Sequence, residues 1–322
     1  MDKEKLETET TFEYLLRLLI AKRNGQSLSW NEIATRLDGL YGSGDYLRKL
    51  AYGIYEYDNY LKGHENLHVA NRVLCLSDLH IPFNLPLETF KKYKGEIDVL
   101  ILNGDIVDMQ GISKFSKLYR VSPMEELVEG RAFLISLIDY LKPKKVIAIN
   151  GNHEMRFGKY LSKNLDSDVL ELMPNSPLEL IFIDGFSWYD KRHKQKVKYN
   201  PLADIYPNID FIYPDDWKYQ FGDTIFCHPS AFSGQPLKTA DKSLDWFLKN
   251  NYKFDNLIVA HTHKVGNYFM AGKGLYESGC LFDLEKNNYT DGRLTTPQSC
   301  GYIYIEQDIN GSTVNIKQEW LK

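Results

Sequence analysis

Apolar and polar positions follow two different grammars along this chain, one before about residue 70 and one after it. Over residues 10–23, Phe12, Leu15, Leu16, Leu18, Leu19 and Ile20 recur at helical spacing and predict a helix with a broad apolar stripe. Gly25-Gln26-Ser27 breaks it. Ser29 then stands as N-cap of a second helix over residues 29–37, with Glu32 at the capping-box position. The glycine-rich stretch 39–44 predicts a turn, and Asp45 is placed to cap a third helix reaching Tyr60. Residues 61–70 read as a linker, with His64 and His68 as solvated side chains.

From Asn71 the pattern changes. Short uncharged apolar runs at 73–76, 99–102 and 146–149 read as buried strands of a parallel sheet. Between the second and third, residues 123–141 predict a crossover helix, acidic in its first turn and followed by Pro143. Strand, crossover and strand in this order is the grammar of a layered α/β domain. Residues 156–200 are less regular, with helical character at 159–172 and a polar, lysine-rich stretch at 191–198 that includes His193. This insertion reads either as a cap over a site or as an exposed solvated loop. A loop at Ser233-Gly234 leads into a helix over 238–249. Residues 301–306 and 313–317 flank a turn at Asn310-Gly311 and predict a β-hairpin. The expected organisation is a helical N-terminal segment over 1–70 and one large domain over 71–322.

Composition narrows this picture. With 322 residues, 43% apolar and 25% charged, the chain is an ordinary globular protein with a substantial core. Its net charge of −4 gives no global nucleic-acid footprint. In the N-terminal helices Arg36, Arg48 and Lys49 are balanced by Asp38, Asp45, Glu56 and Asp58. The helix-turn-helix order there reads as a DNA-binding module or as a small bundle for packing. Cys75, Cys227, Cys280 and Cys300 show no CxxC spacing, which excludes a zinc ribbon and fits reduced thiols. No signal peptide or membrane-spanning run is visible, so the expectation is a cytoplasmic protein without a membrane partner.

The strands carry the chemistry. Residues 73–76 run into Ser77-Asp78-Leu79-His80, and residues 99–102 into Asn103-Gly104-Asp105-Ile106-Val107-Asp108. Residues 146–149 run into Asn150-Gly151-Asn152-His153-Glu154. Phe226-Cys227-His228 and Val259-Ala260-His261-Thr262-His263 complete the series. Each places metal-type donors at a strand's carboxyl end, where open α/β sheets put their sites. Asp78, His80, Asp105, Asn152, His228, His261 and His263 mix hard oxygen with imidazole nitrogen. That mixture suits divalent zinc, manganese or iron better than calcium or magnesium. Seven donors serve two ions only if one carboxylate is shared, and Asp105 lies in the middle of the set. Two ions about 3.5–4 Å apart polarise a phosphoryl group and activate water at neutral pH. Arg156 reads as a phosphate clamp or as a surface salt bridge.

These five passages resemble the signature blocks of the calcineurin-like metallophosphoesterases, over about residues 72–283. "SDLHIPF", "NGDIVDMQGISKF" and "GNHEMRF" are similar to the branch frequent in bacteriophages. The resemblance implies an α/β fold, a four-layer αββα sandwich preceded here by the helical segment, with a dinuclear site at its sheet ends. It implies that Asp78, His80 and His263 hold a first metal, that Asp105 bridges, and that Asn152, His228 and His261 hold a second. It implies that His153 faces the leaving oxygen or stabilises phosphate charge, oriented by Asp108. Manganese leads the expected metals, with zinc or iron as alternatives. Ala260 and Pro229 stand where the family carries glycine, and neither change removes a donor. Met109-Gln110 replaces the Arg-Gly of protein serine/threonine phosphatases, which argues against a phosphoprotein substrate.

The resemblance implies a reaction, phosphoester hydrolysis, and leaves its substrate open. One reading is a DNA nuclease, in the host cytoplasm if the chain is phage-encoded. A second is a phosphodiesterase or phosphatase on small nucleotides, with Tyr189, Tyr199, Trp217 and Tyr219 available to stack a base. A third is a non-catalytic binding module. Residues 156–219 are expected to set the choice.

Overall fold

The computed structural model describes Lys5 and residues 9–23, 26–63, 69–114, 120–190, 194–286 and 297–321. His64, His68 and His193 lie outside them. The chain divides into two compact units, Met1–His68 and Val69–Lys322.

In the first unit, α1 (Thr11–Arg23), α2 (Trp30–Arg36) and α3 (Gly44–Gly63) follow one another. Leu15, Leu18 and Leu19 of α1 bury against Ile33, Leu37, Leu47 and Ala51. The apolar stripe of α1 is narrower than expected, because Phe12 and Ile20 face solvent. At α2 the capping box is present, with Ser29 Oγ accepting from Glu32 N–H and Glu32 accepting from Ser29 N–H. The third helix starts earlier than its acidic residue suggested. Ser43 takes the cap position, its hydroxyl accepting from Tyr46 N–H, while Asp45 lies in the first turn and pairs with Arg48 and Lys49. Residues 61–63, expected in a linker, continue α3.

The second unit is built on two sheets. Strands β1 (Asn71–Leu76), β2 (Val99–Asn103), β3 (Lys145–Ile149) and later β6 (Asp210–Ile212) run parallel in one sheet. The final hairpin, β12 (Cys300–Gln307) and β13 (Thr313–Leu321), extends it, giving the order β13-β12-β1-β2-β3-β6. The second sheet is β10-β11-β9-β8-β7, from β7 (Lys218–Phe221), β8 (Thr224–Cys227), β9 (Asn256–Val259), β10 (Val265–Met270) and β11 (Lys273–Ser278). In it β8, β9 and β11 are parallel.

Residue alternation along the strands builds the layers. Val73, Cys75, Val99, Ile101, Ile147, Ile149, Ile303 and Ile305 point inward onto Phe226, Ile258 and Tyr276 of the other sheet. Their neighbours Leu74, Leu76, Leu100, Leu102, Val146 and Ala148 point outward, against Leu127, Leu134, Leu137, Ile138 and Leu141 of α4 (Pro123–Leu141). On the far side Ile225, Cys227, Leu257, Val259 and Leu275 pack on Ala240, Leu244 and Phe247 of α9 (Lys238–Lys249). Helices, sheet, sheet and helix make four layers, so both faces of each sheet are buried and its strands read as unbroken apolar runs.

The region after β3 departs from the expected single helix. It forms α5 (Met155–Asn164) and α6 (Ser167–Leu170), separated where Asp166 leaves the helix and caps α6 through Asp168 N–H. A short α7 (Pro177–Glu179), a π turn (Leu180–Asp184), the hairpin β4–β5 (Phe186–Asp190 and Gln195–Tyr199) and α8 (Leu202–Ile205) follow. Among the described residues no helix is long and apolar enough to cross a membrane.

Ile101 and Leu102 are adjacent on β2 and face opposite layers, both fully buried. Ile101→Ala and Leu102→Ala should each cost about 2–5 kcal/mol of unfolding free energy. Urea denaturation checks this, and a near-neutral effect for either one would contradict a sheet covered on both faces.

Candidate metal centre

All seven predicted donors sit in loops that leave the carboxyl ends of parallel strands. Asp78 and His80 follow β1, Asp105 follows β2 and Asn152 follows β3. His228 follows β8, and His261 and His263 follow β9. The loops are not relaxed. Asp78, His80, Asp105, His261 and His263 all adopt left-handed backbone, with φ between 46° and 74°. For residues with a Cβ this is costly, and such clusters mark sites where surrounding structure enforces a geometry.

One residue does much of that enforcing. Glu154 is fully buried, and its carboxylate accepts four backbone N–H groups. Oε1 takes Ile106 (2.7 Å) and Val107 (3.0 Å); Oε2 takes Asp105 (2.9 Å) and Gly151 (2.8 Å). It thereby ties the loop after β2 to the loop after β3. Asp105 Oδ1 accepts His153 N–H at 2.8 Å and closes the link from the other side. Gly151 lies so near that a Cβ there would overlap Asp105, and a Cβ at Gly104, with φ +80°, would overlap the His228 ring. The loop after β1 joins through Asp78 N–H to Gly104 and His80 N–H to Asp105.

The donor atoms converge. Asp78, His80, Asp105 and His263 each offer an atom to one common point, as do Asp105, His228 and His261. Asp105 belongs to both groups. Its Oδ2 lies 3.7 Å from His80 Nε2 and 3.3 Å from His228 Nε2, while His263 Nε2 lies 3.1 Å from Asp78 Oδ1. Asn152 Oδ1 is 3.3 Å from His228 Nε2 and so joins the second group. Asp78 Oδ1, Asp105 Oδ2 and His261 Nδ1 are buried and make no hydrogen bond among the described residues. Buried polar atoms left this way are costly unless something else satisfies them. Carboxylate oxygens and imidazole nitrogens aimed at shared points fit divalent cations.

Three partners orient the imidazoles, and of these contacts only that of Asp108 with His153 was expected from the sequence. Asp108 Oδ1 lies 3.0 Å from His80 Nδ1 and 2.9 Å from His153 Nδ1, and the Asp108 carbonyl is also 2.9 Å from His153 Nδ1, so this residue serves both rings. The Asn103 carbonyl lies 3.0 Å from His228 Nδ1, and the Gln298 side-chain amide 2.7 Å from His263 Nδ1. Such contacts fix ring orientation and leave Nε2 facing inward. Arg156 is no surface salt bridge. Its guanidinium donates to the Asp108 carbonyl at 2.7 Å and approaches His153 Nε2 at 2.6 Å.

Charge inside the cluster is mutually compensated. Burial pushes Asp78 and Asp105 up, but the surrounding imidazoles outweigh it and hold Asp78 below and Asp105 well below the ordinary range. Asp108 is held far down in the same way, by His153 and His80. His228 is lowered by burial yet raised more by Asp105 and Asp78, to about 10. His261 goes the other way, to about 3, because burial and His228 both disfavour its proton. A cation held by these groups would take over the neutralising role of the His228 proton, since metal ligands bind deprotonated.

The aromatic residues suggested for base stacking are not gathered here. Tyr199 stacks on Phe186 in the hairpin, Trp217 packs against Trp246 and Phe247, and Tyr219 packs against the core between the sheets. Tyr189 is exposed on β4. Beside the centre stands instead Phe232, its ring centroid 5.1 Å from that of His261.

A mixed α/β sandwich with Asp and His donors converging at its strand ends defines a metal-binding protein of the phosphoesterase type. The chain belongs to the calcineurin-like phosphoesterase family, whose sequence model matches residues 71–265. No curated protein matches it in sequence. Similar solved structures include a single mutant of Vps29 from Entamoeba histolytica, at 12% identity and TM-score 0.36 over 78% of this chain and 99% of that one. Vps29 from Chaetomium thermophilum shows 13% identity and TM-score 0.35 over 78% and 97%. A metallophosphoesterase from Sphaerobacter thermophilus shows 13% and 0.35 over 78% and 88%.

Glu154→Ala leaves four buried N–H groups without their acceptor and should cost about 3 kcal/mol or more. Glu154→Gln should be impaired too, because its amide NH2 would face two donors. Urea unfolding and metal content by atomic absorption read both effects; wild-type values in both variants would show that the loops hold without this carboxylate. A second buried carboxyl, Glu126 of α4, accepts Gln110 N–H at 3.0 Å, and burial with Asp108 nearby raises it to about 8. Folded protein thus keeps a proton that an unfolded glutamate loses near its ordinary 4.5. Stability from this group is present below that value and is lost as pH rises toward 8. Glu126→Gln should flatten stability against pH across that window, and an unchanged slope would contradict the assignment.

Proposed function

We propose that this protein is a dinuclear metal-dependent phosphoesterase. The observation that carries the reading is the sharing of Asp105 between two convergent donor groups. Asp78, His80 and His263 would hold one ion, Asn152, His228 and His261 the other, and Asp105 would bridge. Manganese is the expected metal, with zinc or iron as alternatives. When bound, the pair supplies Lewis acidity toward a phosphoryl oxygen and lowers the pKa of water.

The chain's own residues supply the rest. Asp108 orients His153 through Nδ1, which leaves Nε2 turned toward Asp105 Oδ2 at 3.7 Å, the direction from which an ester oxygen would be met. A guanidinium only donates, so Arg156 makes His153 Nε2 an acceptor and keeps the ring neutral. Burial favours the same neutral form. An incoming phosphate oxygen is a better partner for that guanidinium than a neutral nitrogen. Arg156 therefore acts as the clamp, and its turn toward phosphate frees His153 Nε2 to take up a proton from solvent, with Asp108 beside Nδ1 stabilising the imidazolium, and to pass it to the leaving oxygen.

The substrate reading follows from charge and architecture. The helical unit over residues 1–68 and the bacteriophage-type signature support a DNA nuclease acting in a host cytoplasm. The net charge of −4 supports the second reading, a small nucleotide ester.

Asp105→Asn should lose bound metal and activity together, and near-normal metal content with near-normal turnover would overturn the dinuclear assignment. His153→Ala should keep its metal and lose roughly 100-fold or more in turnover; a parallel fall in metal occupancy would make His153 a ligand instead. Linear single- and double-stranded DNA with manganese, assayed beside bis(p-nitrophenyl) phosphate, decides between substrates. Cleavage of DNA that weakens steeply with salt supports the nuclease. Turnover of the small ester alone supports the nucleotide reading, and no turnover of either argues for a binding module.

A further inference from the structure

Phe232 is 57% exposed, yet it is not on a loose surface loop. The segment that bears it, between β8 and α9, is anchored from below. Lys264, 6% exposed, donates from Nζ to the carbonyls of Gly234 at 2.6 Å and Ser233 at 3.4 Å. Ser233 N–H donates to the buried Thr239 hydroxyl at 2.9 Å, and Gln235 N–H to Ser233 Oγ at 3.2 Å. Leu237 N–H donates to the buried Glu277 carboxylate at 3.1 Å. These bonds hold the backbone that directly follows Phe232, whose large apolar side chain meets water against the hydrophobic preference for burial. Among the described residues its ring meets that of His261, centroids 5.1 Å apart and planes at 80°. His261 belongs to the donor group of Asp105 and His228. An aromatic surface is thus held one side chain away from where a phosphate would be bound.

We propose that Phe232 is a stacking platform for a nucleobase carried on the ester whose phosphate sits at the donor cluster. The proposal rests on the phosphoesterase reading and names its substrate class, a nucleotide or a nucleotide terminus. A phenyl face recognises any base by its π-surface and demands no particular hydrogen-bonding edge. The role is one of specificity and not of chemistry.

The test uses the full chain loaded with manganese and isothermal titration calorimetry. The probes are adenosine and ribose carrying a 5′-methylenephosphonate, which resists hydrolysis, and inorganic phosphate. Wild type should bind the adenosine compound about tenfold more tightly than the ribose compound. Phe232→Ala should bring that ratio close to one through weaker adenosine binding, with ribose binding unchanged, and Phe232→Trp should keep it. Equal affinities in wild type, or an undiminished preference in Phe232→Ala, would overturn the platform. Failure of wild type to bind inorganic phosphate would instead remove the phosphoesterase reading beneath it.

Discussion

The centre depends on a carboxylate that touches no proposed ligand ring. Glu154 collects N–H groups from residues 105, 106, 107 and 151, the two loops that deliver Asp105 and Asn152. Left-handed backbone at five donor positions costs on the order of 1–3 kcal/mol each, although Asp and His tolerate it better than most residues with a Cβ. Four hydrogen bonds to a charged acceptor, each of order 1.5–3 kcal/mol, can offset that strain. Burial and the neighbouring Asp105 push Glu154 up, so part of the gain is spent on keeping it ionised. Charge-neutralising cations beside Asp105 would relieve that repulsion. The staple and the metal centre therefore support one another.

How much of this was legible depends on which partner each residue uses. Strands and the crossover helix could be read because period and caps are local, and the candidate donors could be located because parallel strands put their carboxyl ends on one side. The capping box at Ser29 follows from side chains three residues apart. The carbonyl that orients His228 was invisible, because every residue carries a carbonyl and only the fold chooses Asn103. Asp108 was assigned to His153 alone, since its second partner, His80, lies on another loop. Glu154 stood in full view beside His153, but its partners are backbone groups and leave no mark on sequence. The aromatic residues failed for a related reason. Their type tells of burial or of stacking, and the fold put Tyr199, Trp217 and Tyr219 to packing while leaving Phe232 open.

The two sheets contribute unlike chemistry. Asp78, His80, Asp105 and Asn152 come from the first sheet, and His228, His261 and His263, all imidazoles, from the second. The carboxylate-bearing half and the all-imidazole half of the donor set meet across the contact between sheets, where His261 N–H donates to Asp78 and His228 Nδ1 lies 3.0 Å from the Asn103 carbonyl. The rest of that contact is an apolar layer of Val73, Cys75, Ile101 and Ile149 on Phe226, Ile258 and Tyr276. Close-packed interiors transmit a missing methylene as a shift or a void. Metal geometry is therefore a property of the intersheet packing as much as of the ligand loops. Because a cation would bind the assembled halves and not the separate strands, its binding free energy adds to the cohesion of the sandwich. Folding and the assembly of the donor set are then coupled through the packing between sheets, which helps so strained a set of loops to persist at its edge.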